Sequence, residues 1–212
     1  LNCTEINLVK SKMYKSNDCR ISGISVCVPK TKINNKSFLK FKGKKEFIKH
    51  TGVNKHYLDL KRKISTSDLC LVSANKIIKK LNWKKKDIGF LIFVSQTRDF
   101  ILPNTACVLQ KKLGLNKNIL AYDIPLGCSG FVFGLYTSFL MSNNMKTKGL
   151  LLLGDMSTKF VNPKDPKMLG LFGDAGSAVA IDYKKKLINR SYFSFGTDGE
   201  GYQNLIYDTN GM

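Results

Sequence analysis

Apolar residues along the chain follow two alternating spacings, one typical of strands and one typical of helices. Over residues 20–28 they recur at about every second position, and this predicted strand ends before Pro29. Residues 88–94 are almost continuously apolar, which is typical of a strand buried on both faces. Between these two strands, Thr66, Ser67 and Asp68 precede apolar residues at helical spacing and indicate a helix start.

The rest of the chain continues this alternation of strands and helices. A lysine-rich segment over 37–49 is predicted to be a helix on the surface. Pro103 opens a predicted helix over 104–113, which Gly114 ends. Further strands are predicted over 119–124, 149–153, 178–181 and 187–195. Alternation of this kind favours a layered α/β fold with a mostly parallel sheet.

One predicted helix has no polar side. Residues 129–141 contain no charged side chain, and a helix that is apolar all round must be buried on all sides. A helix that covers a single α/β sheet meets water on its outer face. The pattern therefore predicts a second layer above this helix, and we expect that layer to lie outside the 212 residues of this chain.

The amino-acid composition indicates the class of protein to which the chain belongs. A hydrophobic content of 43% and a charged content of 24% fit a soluble globular domain, and no segment suits a membrane span. We predict a domain over 20–212 and an N-terminal extension of uncertain structure over 1–19. The six cysteines form no CxxC pair and lie apart from the two histidines, so we expect no metal site and no cofactor. Reduced thiols in the cytoplasm are the expected state.

The net charge of +20 comes mainly from lysines in dispersed groups, whereas arginine is scarce. We interpret these lysines first as solvated surface. Docking of an acidic partner protein is the second interpretation, and binding of nucleic acid is a distant third.

Cys128 follows a predicted strand and a glycine-containing turn, at about the start of the apolar helix. Unpaired backbone N–H groups and the positive end of the helix dipole stabilise a thiolate there, which favours a nucleophile. The same N–H groups can hold an oxyanion, and Gly127 and Gly130 allow close backbone approach. A structural cysteine in a tight turn is the alternative, and these residues alone leave both interpretations open.

Residues 123–131, with the sequence DIPLGCSGF, resemble the active-site segment of the β-ketoacyl-acyl carrier protein synthase III family. Residues 171–179, with the sequence LFGDAGSAV, resemble that family's FGDGAGAVV segment. Four further stretches resemble other segments of the family and follow the order that these segments have in the family. They are residues 51–56, 102–106, 150–155 and the short stretch 197–199. The resemblance extends over about 20–205, nearly all of the chain.

This resemblance implies a thiolase-like fold, which consists of two similar α/β halves. Each half has a mixed, mostly parallel sheet and contributes one helix to the buried centre of the fold. The chain is expected to be the first half, with Cys128 as the catalytic nucleophile. The family's catalytic His–Asn pair belongs to the second half, so His50 and His56 are expected to be surface or structural residues. Cys128 would accept an acyl group and condense it with a malonyl-type carrier-protein thioester.

The implied partners are acyl carrier protein, acyl and malonyl thioesters, and a second copy of the chain in a homodimer. In the family, a residue equivalent to Leu102 bounds the acyl pocket across the dimer interface. The family's coenzyme A contacts fall on Glu46, His50 and Pro166. An acidic residue and a proline are poor substitutes for the family's contacts to phosphate and adenine, and they disfavour coenzyme A as the donor. The resemblance implies neither a membrane nor a nucleic-acid partner. A non-catalytic thiolase-fold subunit that binds acyl carrier protein is the alternative function.

Overall fold

The structure, a computed structural model, describes residues 13–186, 190–204 and 206. The strands in this part of the chain are β1 (Met13–Ser16), β2 (Cys19–Cys27), β3 (Lys32–Asn34), β4 (Lys55–Tyr57), β5 (Ile88–Val94), β6 (Leu120–Ile124), β7 (Lys148–Met156), β8 (Asp174–Tyr183) and β9 (Ser191–Ser194). The α-helices are α1 (Asn35–Phe38), α2 (Lys44–Thr51), α3 (Thr66–Lys80), α4 (Thr105–Leu113), α5 (Gly130–Met145) and α6 (Pro166–Leu171). The first three residues of the strand predicted over 187–195 lie outside the described residues.

A five-stranded sheet with the order β2-β8-β7-β5-β6 forms the centre of the domain. β5 runs parallel to both β6 and β7, whereas β8 is antiparallel to both β7 and β2. The sheet is mixed, as predicted, but its parallel and antiparallel pairings are equal in number. An apolar run indicates that a strand is buried, but it does not indicate the direction of the strand. The prediction of a mostly parallel sheet was therefore too high in parallel pairings.

The side chains of β5 divide the core into two layers. Phe90, Leu91, Ile92 and Phe93 are fully buried. Leu91 and Phe93 pack in a cluster with α3 and α4, whereas Phe90 and Ile92 pack with α5 on the opposite face of the sheet. Burial of each such side chain contributes about 1.5–3 kcal/mol, so this strand anchors both helical layers.

Helix α3 begins where the sequence predicts. The Ser65 hydroxyl accepts a hydrogen bond from the Asp68 backbone N–H at 3.1 Å, and the Asp68 carboxylate accepts one from the Ser65 N–H at 3.0 Å. This capping box satisfies N–H groups that the helix itself leaves unpaired. Leu69, Ala74 and Ile77 then place a buried apolar face of α3 on the sheet.

The segment predicted as one helix over 37–49 is instead divided between α1 and α2. Gly43 separates the two helices and has a left-handed backbone conformation, with φ of 89°. Glycine adopts this conformation without the steric penalty that a side chain would add. Lysine-rich composition predicts exposure in this segment, but it does not reveal the break.

Part of the segment predicted to be an extension forms a strand of the domain. β1 pairs antiparallel with β9, in a two-stranded sheet that lies beside α5. The ring of Tyr14 is 5.6 Å from that of Tyr136 on α5 and 5.9 Å from that of Phe195. Among the described residues, no helix is both long enough and apolar enough to cross a bilayer.

Candidate active site

Cys128 lies in the turn between β6 and α5. The Gly130 backbone N–H donates to the Gly127 carbonyl at 2.8 Å and closes this turn around the cysteine. α5 begins at Gly130 with Ser129 as its N-cap, one residue after the start of the segment 129–141 that is predicted to be a helix. The side chain of Cys128 is exposed, and its backbone N–H donates no hydrogen bond within the described part of the chain. The thiol is therefore accessible directly before the positive end of the helix dipole.

Two glycines allow α5 to lie close to the sheet. A Cβ atom at Gly130 would lie 2.6 Å from Cγ1 of Val94 on β5, and one at Gly134 would lie 2.8 Å from Cδ1 of Leu151 on β7. Both distances are shorter than side chains tolerate without rearrangement. Because glycine has no side chain, these two positions let the helix, and Cys128 before it, lie close to the sheet.

The outer face of α5 is apolar and exposed. Phe131, Val132 and Leu140 are 41%, 42% and 46% exposed, whereas Ser138 and Phe139 on the inner face are buried. The helix carries no charged residue. Within the described part of the chain, no element covers these three side chains fully.

Asp123, near the end of β6, connects the strand to α4. Its carboxylate oxygens accept hydrogen bonds from the backbone N–H groups of Thr105 and Ala106, at 2.8 and 2.7 Å. A carboxylate at a helix N-terminus pairs free N–H groups and interacts favourably with the helix dipole. The loop before α4 carries Leu102, whose side chain is 86% exposed and therefore packs against no part of the Cys128 site within the described chain.

Asp155, near the end of β7, fixes the loop that follows β5. Its Oδ1 atom accepts hydrogen bonds from the backbone N–H groups of Gln96 and Thr97, at 2.8 and 2.9 Å. The Gln96 side chain lies over Gly127, where an added Cβ would be 2.5 Å from its Oε1 atom. The amide of Gln96 therefore lies beside the turn that holds Cys128. Gln96 could not be predicted from the sequence as part of the site, because the partner of its backbone N–H, Asp155, is 59 residues away.

The other cysteines differ from Cys128 in their surroundings. All five described cysteines are free. Cys19 and Cys70 are buried, and burial raises the pKa of the Cys70 thiol to about 12. Cys27 is half-buried, and Cys107 is exposed on α4. Among the described cysteines, only Cys128 combines exposure with a position at a strand–turn–helix junction.

The two histidines lie on elements other than β6 and α5. His50 is exposed near the end of α2. His56 is buried on β4, and neither of its ring nitrogens has a hydrogen-bond partner in the described structure. Burial lowers its pKa, and the nearby Asp174 carboxylate partly opposes this shift. The described residues contain no group of three or more potential metal ligands.

The positions that the resemblance relates to coenzyme A lie on neighbouring helices. Glu46 and His50 are exposed on α2, and Pro166 is the first residue of α6. The two helices approach closely, because a Cβ at Gly170 of α6 would lie 3.2 Å from the ring of Phe47 on α2.

A sequence model of the family described as 3-Oxoacyl-[acyl-carrier-protein (ACP)] synthase III matches residues 122–199, which include Cys128. A putative 3-oxoacyl-[acyl-carrier-protein] synthase 3 of Campylobacter jejuni is 34% identical over 199 residues, which are 91% of this chain and 56% of that protein. A β-ketoacyl-[acyl-carrier-protein] synthase III of Fusobacterium nucleatum is 31% identical over 183 residues, which are 85% of this chain and 55% of that protein. The chain thus spans about half the length of these curated relatives.

Solved structures show the same fold. A 3-oxoacyl-(acyl-carrier protein) synthase from Burkholderia xenovorans LB400 has a TM-score of 0.89 at 33% identity, over 95% of this chain and 58% of that one. A 3-oxoacyl-(acyl carrier protein) synthase III from Pseudomonas aeruginosa has a TM-score of 0.71 at 21% identity, over 80% of this chain and 53% of that one. The predicted fold class is confirmed.

Proposed function

Because the chain is a thiolase-fold protein of the 3-oxoacyl-[acyl-carrier-protein] synthase III type and corresponds to the N-terminal part of such proteins, we propose that it provides the acyl-accepting cysteine of a condensing acyltransferase. The observation that carries this proposal is the exposed Cys128 between the end of β6 and the start of α5. Asp155 and Asp123 hold the two ends of the connection between β5 and α4, and Gln96 in this connection lies beside the turn that carries Cys128.

In the proposed first step, the Cys128 thiolate attacks the carbonyl carbon of an acyl thioester. A bond forms between sulfur and that carbon, and the bond between the acyl group and the donor sulfur breaks. The donor leaves as a thiolate and takes up a proton. Negative charge on the carbonyl oxygen needs hydrogen-bond donors, and the unengaged N–H of Cys128 supports this role. The product is an acyl group held on Cys128.

In the proposed second step, a malonyl-type thioester loses carbon dioxide, and the resulting carbanion attacks the carbonyl of the acyl-cysteine. A carbon–carbon bond forms, and the carbon–sulfur bond to Cys128 breaks and restores the thiolate. The resemblance assigns this step to a His–Asn pair in the second half of the fold. His50 and His56, on α2 and β4, are not proposed to provide it.

We propose a carrier-protein thioester, rather than coenzyme A, as the acyl donor. Glu46 lies exposed on α2, where its carboxylate would repel the phosphates of coenzyme A, and Pro166 offers no hydrogen-bond donor. The pathway is fatty-acid initiation or a specialised acyl synthesis. The five cysteines that the structure describes are all free, which supports a reducing, cytoplasmic setting.

A homodimer is also proposed, with Leu102 bounding the acyl pocket of the partner copy. Phe100, Ile101 and Leu102 are 49%, 71% and 86% exposed in succession. An exposed apolar loop of this kind is typical of a surface that another chain covers.

Product formation tests the proposed reaction. The intact protein, given an acyl donor and a malonyl thioester of acyl carrier protein, should release a 3-oxoacyl carrier protein that mass spectrometry detects. Cys128→Ala should abolish the product, whereas Cys107→Ala, which removes the other thiol that is exposed among the described cysteines, should retain it. An inactive wild-type protein that still binds the carrier protein would contradict the proposal and favour the non-catalytic subunit.

A further inference from the structure

The side chain of Gln96 ends beside the turn that carries Cys128, and Gln96 is exposed to solvent. A Cβ atom built on Gly127 would lie 2.5 Å from the Gln96 Oε1 atom and 2.9 Å from its Nε2 atom, so the amide rests against the backbone of the residue before Cys128. Within the described part of the chain, neither amide atom has a hydrogen-bond partner. A free donor and a free acceptor thus lie beside the proposed nucleophile.

The backbone that carries this amide is held from two strands. The Asp155 carboxylate, near the end of β7, accepts hydrogen bonds from the N–H groups of Gln96 and Thr97, at 2.8 and 2.9 Å. The Ser95 N–H donates to the carbonyl of Ile124, the last residue of β6, at 3.3 Å. Ser95 and Thr97 are buried, whereas Gln96 between them is exposed. The chain therefore presents the Gln96 side chain to the surface from a fixed position.

Gly127 makes room for the amide. Its backbone lies outside the left-handed region that favours glycine, so the conformation of the turn does not by itself require glycine at this position. A side chain there would meet the Oε1, Cδ and Nε2 atoms of Gln96 and push the amide away from the turn. Because Gly127 has no side chain, the amide can stay next to Cys128.

An acyl group attached to Cys128 would displace water from this amide. A polar group that loses water without gaining a hydrogen-bond partner costs free energy, whereas a partner on the incoming group offsets that cost. An unsubstituted hydrocarbon chain offers no partner. A hydroxyl group both donates and accepts, so it matches an amide that has both functions free. A site that hydrogen-bonds a substrate hydroxyl discriminates strongly against the analogue that lacks it.

We propose that Gln96 is a specificity-determining residue, whose amide hydrogen-bonds a hydroxyl group near the carbonyl of the acyl group, as in a 3-hydroxyacyl thioester. This inference rests on the proposed function, since it names the class of acyl group that Cys128 accepts. The hydroxyl must be near the carbonyl, because the amide rests against the residue next to Cys128 and reaches only the first atoms of the chain. Such acyl groups are preferred over unsubstituted chains of the same length.

Acylation of Cys128 by two thioesters that differ only in the hydroxyl group tests this proposal. Butyryl pantetheine and (R)-3-hydroxybutyryl pantetheine are each given to the intact protein, and mass spectrometry follows the adduct on Cys128. Reaction of each thioester with free cysteine gives the intrinsic ratio of the two rates. Relative to that ratio, the wild type should favour the hydroxyacyl group roughly tenfold.

Removal of the Gln96 amide should abolish this preference. Gln96→Met replaces the amide with an apolar side chain of similar length, and it should react more slowly with the hydroxyacyl thioester but not with the butyryl thioester. Asn144→Leu is the matched control, because it replaces an exposed amide at the other end of α5. It should keep the wild-type preference. Thermal unfolding shows whether both variants are folded.

Two results would overturn the proposed role of Gln96. One is a wild-type preference no greater than the intrinsic ratio, and the other is an equal loss of rate for both thioesters in Gln96→Met, which would indicate a role in packing the turn. Absence of acylation by either thioester would contradict the proposed function instead. The specificity is then decided by titrating Cys128→Ala with the two thioesters, where the hydroxyacyl compound should bind more tightly and equal affinities would overturn the inference.

Discussion

The carboxylate of Asp123, one residue before the end of β6, accepts a hydrogen bond from the backbone N–H of Thr105, the first residue of α4, at 2.8 Å. Its second oxygen accepts from the next N–H along the helix, at 2.7 Å. A single side chain thereby links the strand that leads to Cys128 with the helix that follows the loop carrying Leu102. The two proposed site residues lie on loops that this carboxylate holds in fixed relation.

We expect Asp123→Asn to destabilise the domain by about 1–2 kcal/mol. The amide keeps one acceptor oxygen, but its NH₂ group cannot accept from the second N–H, and the charge that faces the helix dipole is lost. Urea unfolding measures the change. Glu200→Gln, at an exposed carboxylate, is the matched control and should leave the free energy of unfolding unchanged. Equal stability of the two variants would show that the bonds of Asp123 contribute nothing.

We expect Gly130→Ala to lower both stability and the acylation rate of Cys128. Its Cβ would lie 2.6 Å from Cγ1 of Val94, so the start of α5 must move or the core must rearrange, at about 1–3 kcal/mol. Gly196→Ala is the control, since nothing lies within 4 Å of its added Cβ. Thermal unfolding and the rate of acyl-adduct formation measure the two effects. A Gly130→Ala protein with wild-type stability and rate would contradict the close packing of α5.

The buried His56 should make stability depend on pH. Its pKa in the folded protein lies below the ordinary 6.5. As the pH falls, the unfolded chain therefore takes up a proton at this histidine before the folded chain does. The free energy of unfolding should therefore fall as the pH drops below 6.5, through the lowered folded-state pKa. His56→Phe should remove this part of the loss, because a ring of similar size leaves no unpaired nitrogen in the core. Urea unfolding at a series of pH values provides the measurement.

His50→Phe is the control for this experiment, since His50 is exposed. It should keep the dependence on pH seen in the wild type. If the free energy of unfolding of His56→Phe falls with pH as steeply as that of the wild type, burial of His56 is not the source of the acid sensitivity.

Elements whose structure is decided by one local pattern were predictable from the sequence. The apolar run of β5 is found at Ile88–Val94, as predicted, because a strand buried on both faces needs apolar side chains at every position. α4 ends before Gly114, which takes the left-handed conformation at the helix end. The setting of Cys128 was also predictable, since a strand, a glycine turn and a helix follow one another within ten residues.

Features that depend on distant partners were not predictable from one sequence. The carboxylate of Asp174 accepts from the backbone N–H of Asp59, 115 residues away, and no local pattern indicates that pairing. The sequence puts Cys128 only at about the start of α5, and the hydrogen bond from the Gly130 N–H to the Gly127 carbonyl keeps Cys128 in the turn before it. The pattern of apolar residues likewise does not indicate the direction of each strand in the mixed sheet.

Residue-level mapping by tandem mass spectrometry shows whether Cys128 carries the acyl group. The intact protein is incubated with an acyl carrier-protein thioester, stopped with acid and digested. We expect the acyl mass on the peptide that contains Cys128, with fragment ions that assign it to that residue, and none on the peptide that contains the exposed Cys107. An acyl group on Cys107 instead, or on neither cysteine, would contradict the proposed role of Cys128.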